Sequence, residues 1–375
     1  MNKSLIFTLI IAGSAILVSC GDNQNRDTAS SQQDIASDTT ENSLIYPGEK
    51  HFKSMKQLTF GGDNAEAYWS FDQSMFVFQS NYSEWGVQCD QIFYHRLDDE
   101  KSMKEQMPEM LSTGKGRTTC SYFMPGDTTV LYASTHLGGE NCPPEPEREP
   151  GGKYVWPIYP SYDIFVADLD GNIIKQLTTR DGYDAEATVS PDGKKIVFTS
   201  DRSGDLELYT MDIDGGNVQQ VTDQLGYDGG AFFSPDSKKL VFRSSRPKTD
   251  EEVAEYKALL ADGLVQPTNM EIYVCNVDGT DLKQVTELGK ANWAPFFHPS
   301  GEKILFSSNH AGKRGFEFNL YLINVDGTGL EKISYDEVFD AFPMFSPDGK
   351  YLLFSSNRNN KGTRDTNLFL AEWVD

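Results

Sequence analysis

One phrase is written six times along this chain. Aligned on the Pro of "SPDG", the copies are "FDQSMFVFQS" from Phe71, "PGDTTVLYAS" from Pro125, "PDGKKIVFTS" from Pro191, "PDSKKLVFRS" from Pro235, "PSGEKILFSS" from Pro299 and "PDGKYLLFSS" from Pro347. They match without a gap, and successive anchors lie 54, 66, 44, 64 and 48 residues apart. A short unit of this kind cannot bury its apolar faces alone, so neighbouring copies must stack on one another. The shortest spacing suits one four-stranded propeller blade, and the longer ones require insertions.

Each unit reads as four strands. Strand A ends at the anchor, as in "DAEATVS". "PDG" makes the next turn, with Pro setting φ and Gly tolerating φ > 0. Strand B, such as "KIVFTS", is apolar on both faces because it lies between neighbouring blades. Strand C is "LELYTMDI", "EIYVCNV" or "NLYLINV"; a "DG" hairpin turn follows, then strand D, "NVQQVT", "DLKQVT" or "LEKIS". Blade one departs from this, with "HRLDDEKSM" in place of the "DG" turn. The ends complement each other: "HFKSMKQLT" (51–59) is a strand D without its blade, and "NLFLAEWVD" (367–375) a strand C without its D. The expected fold is all-β, a six-bladed propeller of four-stranded blades over residues 50–375, with the last blade closed by the N-terminal strand. Closure removes strand edges that would otherwise invite aggregation.

The pattern "SPDGKKIVF…DIDG…QQVT" resembles the WD-like repeats of TolB-family propellers, over about residues 50–375. The resemblance implies the fold and, by analogy, a binding role; it is specific for architecture and poor for function. No α/β domain is read ahead of the repeats, as TolB has, and no hydrolase domain, as prolyl-peptidase-like enzymes with similar blades have. The expectation is a TolB-like protein other than TolB itself.

Residues 1–19 read as a signal peptide, with Lys3 ahead of the apolar run "LIFTLIIAGSAILV". The tetrad Leu17-Val18-Ser19-Cys20 resembles a bacterial lipobox, which implies acylation of Cys20. Residues 20–49 are then the lipidated Cys and a polar tether too poor in large apolar groups to fold. Gly21 after the Cys, by resemblance to lipoprotein sorting, points to the outer membrane of a bacterial envelope. The chain carries 33 Lys+Arg against 56 Asp+Glu, a net charge of −23, and no basic stripe. Nucleic acid is therefore not expected as a partner; a membrane contact through lipid, a monomeric state, and a protein, peptide or small polar ligand are.

No "GxSxG", "HExxH", "GxxxxGK[ST]" or "CxxC" is present, and neither cofactor nor metal is expected. The "DG" stretches lack the spacing and distal Glu of a calcium loop and fall where a hairpin turn belongs. His310 and His136 share the column of Arg202, Arg246 and Arg358. Cys275 falls in strand C as a buried thiol. Among Cys89, Cys120 and Cys142 one disulfide is expected, with Cys120–Cys142 favoured because both lie in blade two; a soft-metal site with His136 is the alternative.

Candidate ligand-binding residues come from two places. Seven residues before each anchor stand Asn64, Thr118, Asp184, Asp228, Asn292 and Asp340; two further on stand Glu66, Cys120, Glu186, Gly230, Ala294 and Phe342. These columns should ring one mouth of the channel, either capping the D–A turns or forming a polar rim for a cation, amine, sugar or peptide. The two largest insertions are both B–C loops and open at the same mouth: 137–161, rich in Pro and aromatics, and 247–268, whose "DEEVAEYKALLADG" predicts a short helix capped by Thr249 or Asp250. The binding candidates are thus Asn64, Glu66, Asp184, Glu186, Asp228, Asn292, Asp340 and His136, with Trp156 and Tyr159 as an apolar wall. The leading expectation is non-enzymatic binding at that face. The alternative is an envelope lyase or hydrolase acting on glycan or peptide in the channel, with Glu66 and Glu186 as paired carboxylates.

Overall fold

Why does "SPDG" recur? In blade three the Ser190 hydroxyl donates to Asp192 Oδ1 at 2.7 Å and accepts from the Lys195 N–H at 2.9 Å, while the Ser190 N–H closes onto the Lys195 carbonyl. Ser70, Ser234 and Ser346 make the same bonds. The motif is a self-satisfied A–B turn: architecture, not chemistry. The computed structural model describes residues 44–146, 152–337 and 339–375. The signal peptide, Cys20 and most of the tether lie outside these residues.

Blade three shows the unit in its shortest form. Strands Asp184–Val189, Lys195–Ser200, Glu207–Asp212 and Gln219–Gln220 form one antiparallel sheet, in that order from the axis outward. Strand A is buried throughout and strand B nearly so, as expected of segments sandwiched between blades. Six such sheets surround the axis. The recurrent "QLT", "QVT" and "KIS" ends have their own cause. The hydroxyl closing each strand D accepts an N–H near the start of strand C: Ser112 from Ile92, Thr178 from Ile164, Thr222 from Leu208, Thr286 from Ile272, Ser334 from Leu320 and Thr59 from Leu368, all at 2.8–2.9 Å.

Thr59 making the sixth of these bonds is the signature of closure. Strand Phe52–Gln57 pairs antiparallel with Asn367–Trp373, Phe52 opposite Trp373 and Gln57 opposite Phe369, which completes the last blade from both ends of the chain. Packing on that blade begins before residue 50. Leu44 and Ile45 lie on its core, and Glu49, 3% exposed, bonds to Arg358 and to the Tyr335 N–H.

The expected helix forms at Asp250–Ala261. Thr249 is its N-cap, in a reciprocal capping box with Glu252, and Gly263 just beyond it takes φ +70°. One element had no counterpart in the repeat pattern. Trp156–Pro157 from the blade-two insertion pairs with Leu264–Val265 from the blade-four insertion. The two loops therefore join into a strap across blade three.

Candidate functional site

Every innermost strand carries the same irregularity. Glu66, Cys120, Glu186, Gly230, Ala294 and Phe342 all adopt left-handed backbone, φ between 46° and 59°. The register to strand B slips at each of them. A left-handed non-glycine residue costs on the order of 1 kcal/mol, so its sixfold recurrence marks a bulge imposed by the fold. A bulge re-aims a side chain. Here it turns this column into the channel, where all but Gly230 line a cavity of about 380 Å³.

The cavity lies at the mouth carrying the D–A and B–C connections and is roofed by the strap. Trp156 sits with its ring 5.2 Å from that of Trp293 and stacks on the Arg243 guanidinium at 5.3 Å. Tyr154, Tyr159, Tyr162, Tyr183, Phe339 and Phe342 extend the aromatic wall. Below, Tyr68, Tyr122, Phe232 and Phe296 pack ring on ring and separate this cavity from an apolar one at the opposite mouth.

Two of the turned-in residues are carboxylates, and their situations differ. Glu186 is saturated. One oxygen accepts from Arg243 at 2.6 Å and from the Tyr227 hydroxyl; the other accepts from Thr199 at 2.8 Å and the Gly230 N–H at 2.7 Å. Blade four makes room for this. A Cβ on Gly230 would lie 1.8 Å from Arg243 Nη1, and one on Gly229 would lie 2.4 Å from Glu186 Oε2. Glu66, by contrast, has a buried Oε2 with no partner. Burial pushes its carboxyl up to about 7, Glu186 adds to the rise, and a hydrogen bond with Cys120 and the charge of Arg243 oppose it. Burial and the same two glutamates hold the Cys120 thiol well above its ordinary range.

The sequence candidates thus divide. Asn64, Glu66, Glu186, Trp156 and Tyr159 line the cavity. Asp184, Asp228 and Asp340 stand behind its wall with no exposed surface, each held by an arginine of its own blade: Arg202 at 2.9 Å, Arg246 at 2.7 Å and Arg358 at 3.0 Å. Asn292 is equally buried and bonds to the Met270 and Gly289 carbonyls, while Asn64 likewise binds the Gly61 and Thr366 carbonyls. The turn-capping role thus falls to the asparagines, whereas the aspartates anchor arginines. His136 stands off the cavity, bonded to Ser134 at 2.9 Å over the Phe165 ring, as His310 is to Ser308 over Tyr321.

One expectation is corrected. The disulfide joins Cys89 to Cys142, with Cα atoms 6.1 Å apart, and not Cys120 to Cys142. The bulge turns Cys120 into the channel, whereas Cys89 lies beside the D–A connection of blade two, within reach of the insertion. Arg243, Tyr227 and Tyr183 were not foreseen. The signal for Arg243 was present: it is the only charged residue in its strand-B column, where the other blades have Gln79, Ala133, Thr199, Ser307 and Ser355. Among the described residues no three His, Cys, Asp or Glu side chains gather as a metal-binding group.

Comparison with known proteins agrees with this architecture. The TolB beta propeller domain model matches residues 159–263 and 260–363. No curated protein matches. Among solved structures, a TolB-type protein from Agrobacterium tumefaciens superposes with TM-score 0.54 at 19% identity, over 84% of this chain and 91% of that one. A gluconolactonase from Xanthomonas campestris gives TM-score 0.55 at 14% identity, over 86% and 91%. TolB from Acinetobacter baumannii gives 0.49 at 17% identity; the overlap covers 84% of this chain but only 64% of that one. At these identities the likeness concerns the fold.

Proposed function

Because the chain belongs to the TolB β-propeller domain family, we propose that it is a non-enzymatic recognition module of the bacterial envelope, lipid-anchored through Cys20, that binds a peptide, protein segment or small polar ligand in the strap-roofed cavity. The observation that carries this reading is the cavity itself. Aromatic walls surround a few placed polar groups, a common composition for a ligand site, and the long loops of an otherwise regular scaffold converge on it. The anchor rests on the lipobox alone. It predicts that Cys20→Ala releases the protein from membranes into the soluble fraction; unchanged retention removes the anchor from the proposal.

The binding site is tested by hydrogen exchange on the full-length protein, with and without an extract of its own envelope. Protection of 64–66, 118–120 and 154–159 is expected. Protection confined to the turns at Pro191, Pro235, Pro299 and Pro347 would move the site to the opposite mouth. The second reading, a lyase or hydrolase, has one observation in its favour: a carboxyl brought to about 7 suits general acid–base work at neutral pH. The partner expected for it, Glu186, is engaged by four donors. Turnover of a glycan or peptide lost in Glu66→Gln would establish the enzymatic reading.

A further inference from the structure

The cavity has a charge surplus, and four buried polar atoms of its lining residues meet no partner: Asn64 Oδ1, Glu66 Oε2, Arg117 Nε and Arg243 Nε. Its charged lining residues are Asp63, Glu66, Asp90 and Glu186 against Arg117 and Arg243. Both arginines are committed inside the protein: Arg243 to Glu186 and Tyr227, Arg117 to Asp90 and Glu145. Each guanidinium is thus neutralised by carboxylates through its Nη atoms, and only its buried Nε–H is left without an acceptor. Glu66 Oε2 is shielded from water yet meets no donor, a costly state for a buried carboxyl oxygen. The missing partner is therefore a hydrogen-bond donor, and the acidic surplus favours one that brings positive charge.

The surrounding surface narrows the class further. Trp156, Trp293, Tyr183, Phe339 and Phe342 offer ring faces around the cavity, and such faces attract cations as well as apolar groups. The structure already shows the first attraction internally, in the stacking of Arg243 on Trp156 and Tyr227. A volume of about 380 Å³ has room for two or three small residues or a compact amine, not for a folded segment. A neutral polyol could also donate to Glu66, but it would leave the surplus charge uncompensated and would find few free acceptors among rings.

We propose that the cavity recognises a primary ammonium group carried beside an apolar or aromatic group, the chemistry of a peptide N-terminus or a free amine, with Glu66 as the counter-ion. This rests on the reading of the cavity as a binding site and specifies what that site takes. Glu66 is a binding residue here, with no chemical step assigned to it.

The pH dependence has a defined sign. The groups facing Glu66 are Asp90 from blade one, Cys120 from blade two, Glu186 from blade three and Arg243 from blade four. Burial keeps the Cys120 thiol protonated near neutrality, and Glu66 is the group whose carboxyl is brought to about 7. Ligand binding should then strengthen from about pH 6 to about pH 7 as the carboxyl ionises, and weaken again above about pH 8 as the ligand's α-amino group, with its ordinary pKa of about 7.7–8.0, loses its proton.

The experiment uses the full-length protein and two probes, phenylalanyl-alanine amide with a free N-terminus and the same compound N-acetylated. Binding is followed by calorimetry and by fluorescence of the cavity tryptophans, with and without a chelator. The free amine should bind, and acetylation should weaken it at least tenfold. Glu66→Gln should lose the same factor and remove the rising limb of the pH profile, while melting no lower than the parent. Equal affinity for the two probes in the parent would overturn the ammonium assignment while leaving the cavity as a binding site. No binding of either probe overturns it too, and a chelator-sensitive signal would assign Glu66 to a metal ion instead. Hydrogen-exchange protection at the opposite mouth alone would instead remove the underlying reading.

Discussion

Gly230 shows how one residue sets the chemistry of the channel. At its position in the repeat every other blade presents a side chain to the axis; blade four presents none, and Arg243 enters the space from strand B. Gly230→Ala would force the guanidinium aside and leave Glu186 buried without its cation. Breaking a buried pair costs about 3–5 kcal/mol, so a large drop in thermal stability is expected; a melting curve like the parent's would refute the packing described. Glu207 is a second sensitive residue. It is 2% exposed, and burial together with Asp228 and Asp205 raises its carboxyl far above the ordinary 4.5. The folded form therefore holds a proton that the unfolded form releases, and stability falls as pH rises from about 4.5 toward the raised value. Glu207→Gln cannot ionise, so it should be more stable than the parent at pH 8 and differ little at pH 4. Denaturant titration at both values checks this.

At the scale of elements, the strand Phe52–Gln57 decides whether the ring is closed. Deleting residues 50–59 removes the ladder partner of Asn367–Trp373 and the hydroxyl of Thr59, and exposes an apolar edge. Aggregation or loss of a single cooperative transition is expected in calorimetry, and a truncated protein melting as one sharp unit at the parent's temperature would count against closure. The aspartates behind the cavity wall belong to this scale as well. Asp184→Asn combined with Asp228→Asn removes the anchors of Arg202 and Arg246. It should lower stability while leaving affinity for the free-amine probe within about threefold, measured at a temperature where the variant is folded. An affinity loss of tenfold or more would restore these aspartates to the binding surface.

For the whole molecule, the disulfide and the strap tie distant blades together. Cys89–Cys142 fixes the start of the blade-two insertion to blade one, and the pairing with Leu264–Val265 fixes its end to blade four. Non-reducing peptide mapping should recover Cys89 linked to Cys142, with Cys120 and Cys275 alkylated as free thiols. A Cys120–Cys142 peptide would refute the Cys89–Cys142 pairing. Reduction should leave the blades folded, since their ladders and interblade cores do not depend on the bridge, while increasing hydrogen exchange in 152–162.

The repeat alone determined the number of blades, the A–B turns and the closure by 51–59, because these depend on local hydrogen bonds and on a periodicity that survives in every copy. It also placed Glu66 and Glu186 in one column and both insertions at one mouth. What the column does was decided by tertiary structure. The left-handed bulge leaves no trace in residue type, since Glu, Cys, Gly, Ala and Phe all occupy it. Whether a carboxylate there is free depends on what the next blade sends across: Arg243 and Tyr227 of blade four join Thr199 of its own blade on Glu186, and nothing comparable reaches Glu66 Oε2. Arg243 and Tyr227 belong to a different repeat from Glu186 and meet it only when adjacent blades pack, so no pattern within a single repeat could reveal that Glu66 is left with an unpaired oxygen.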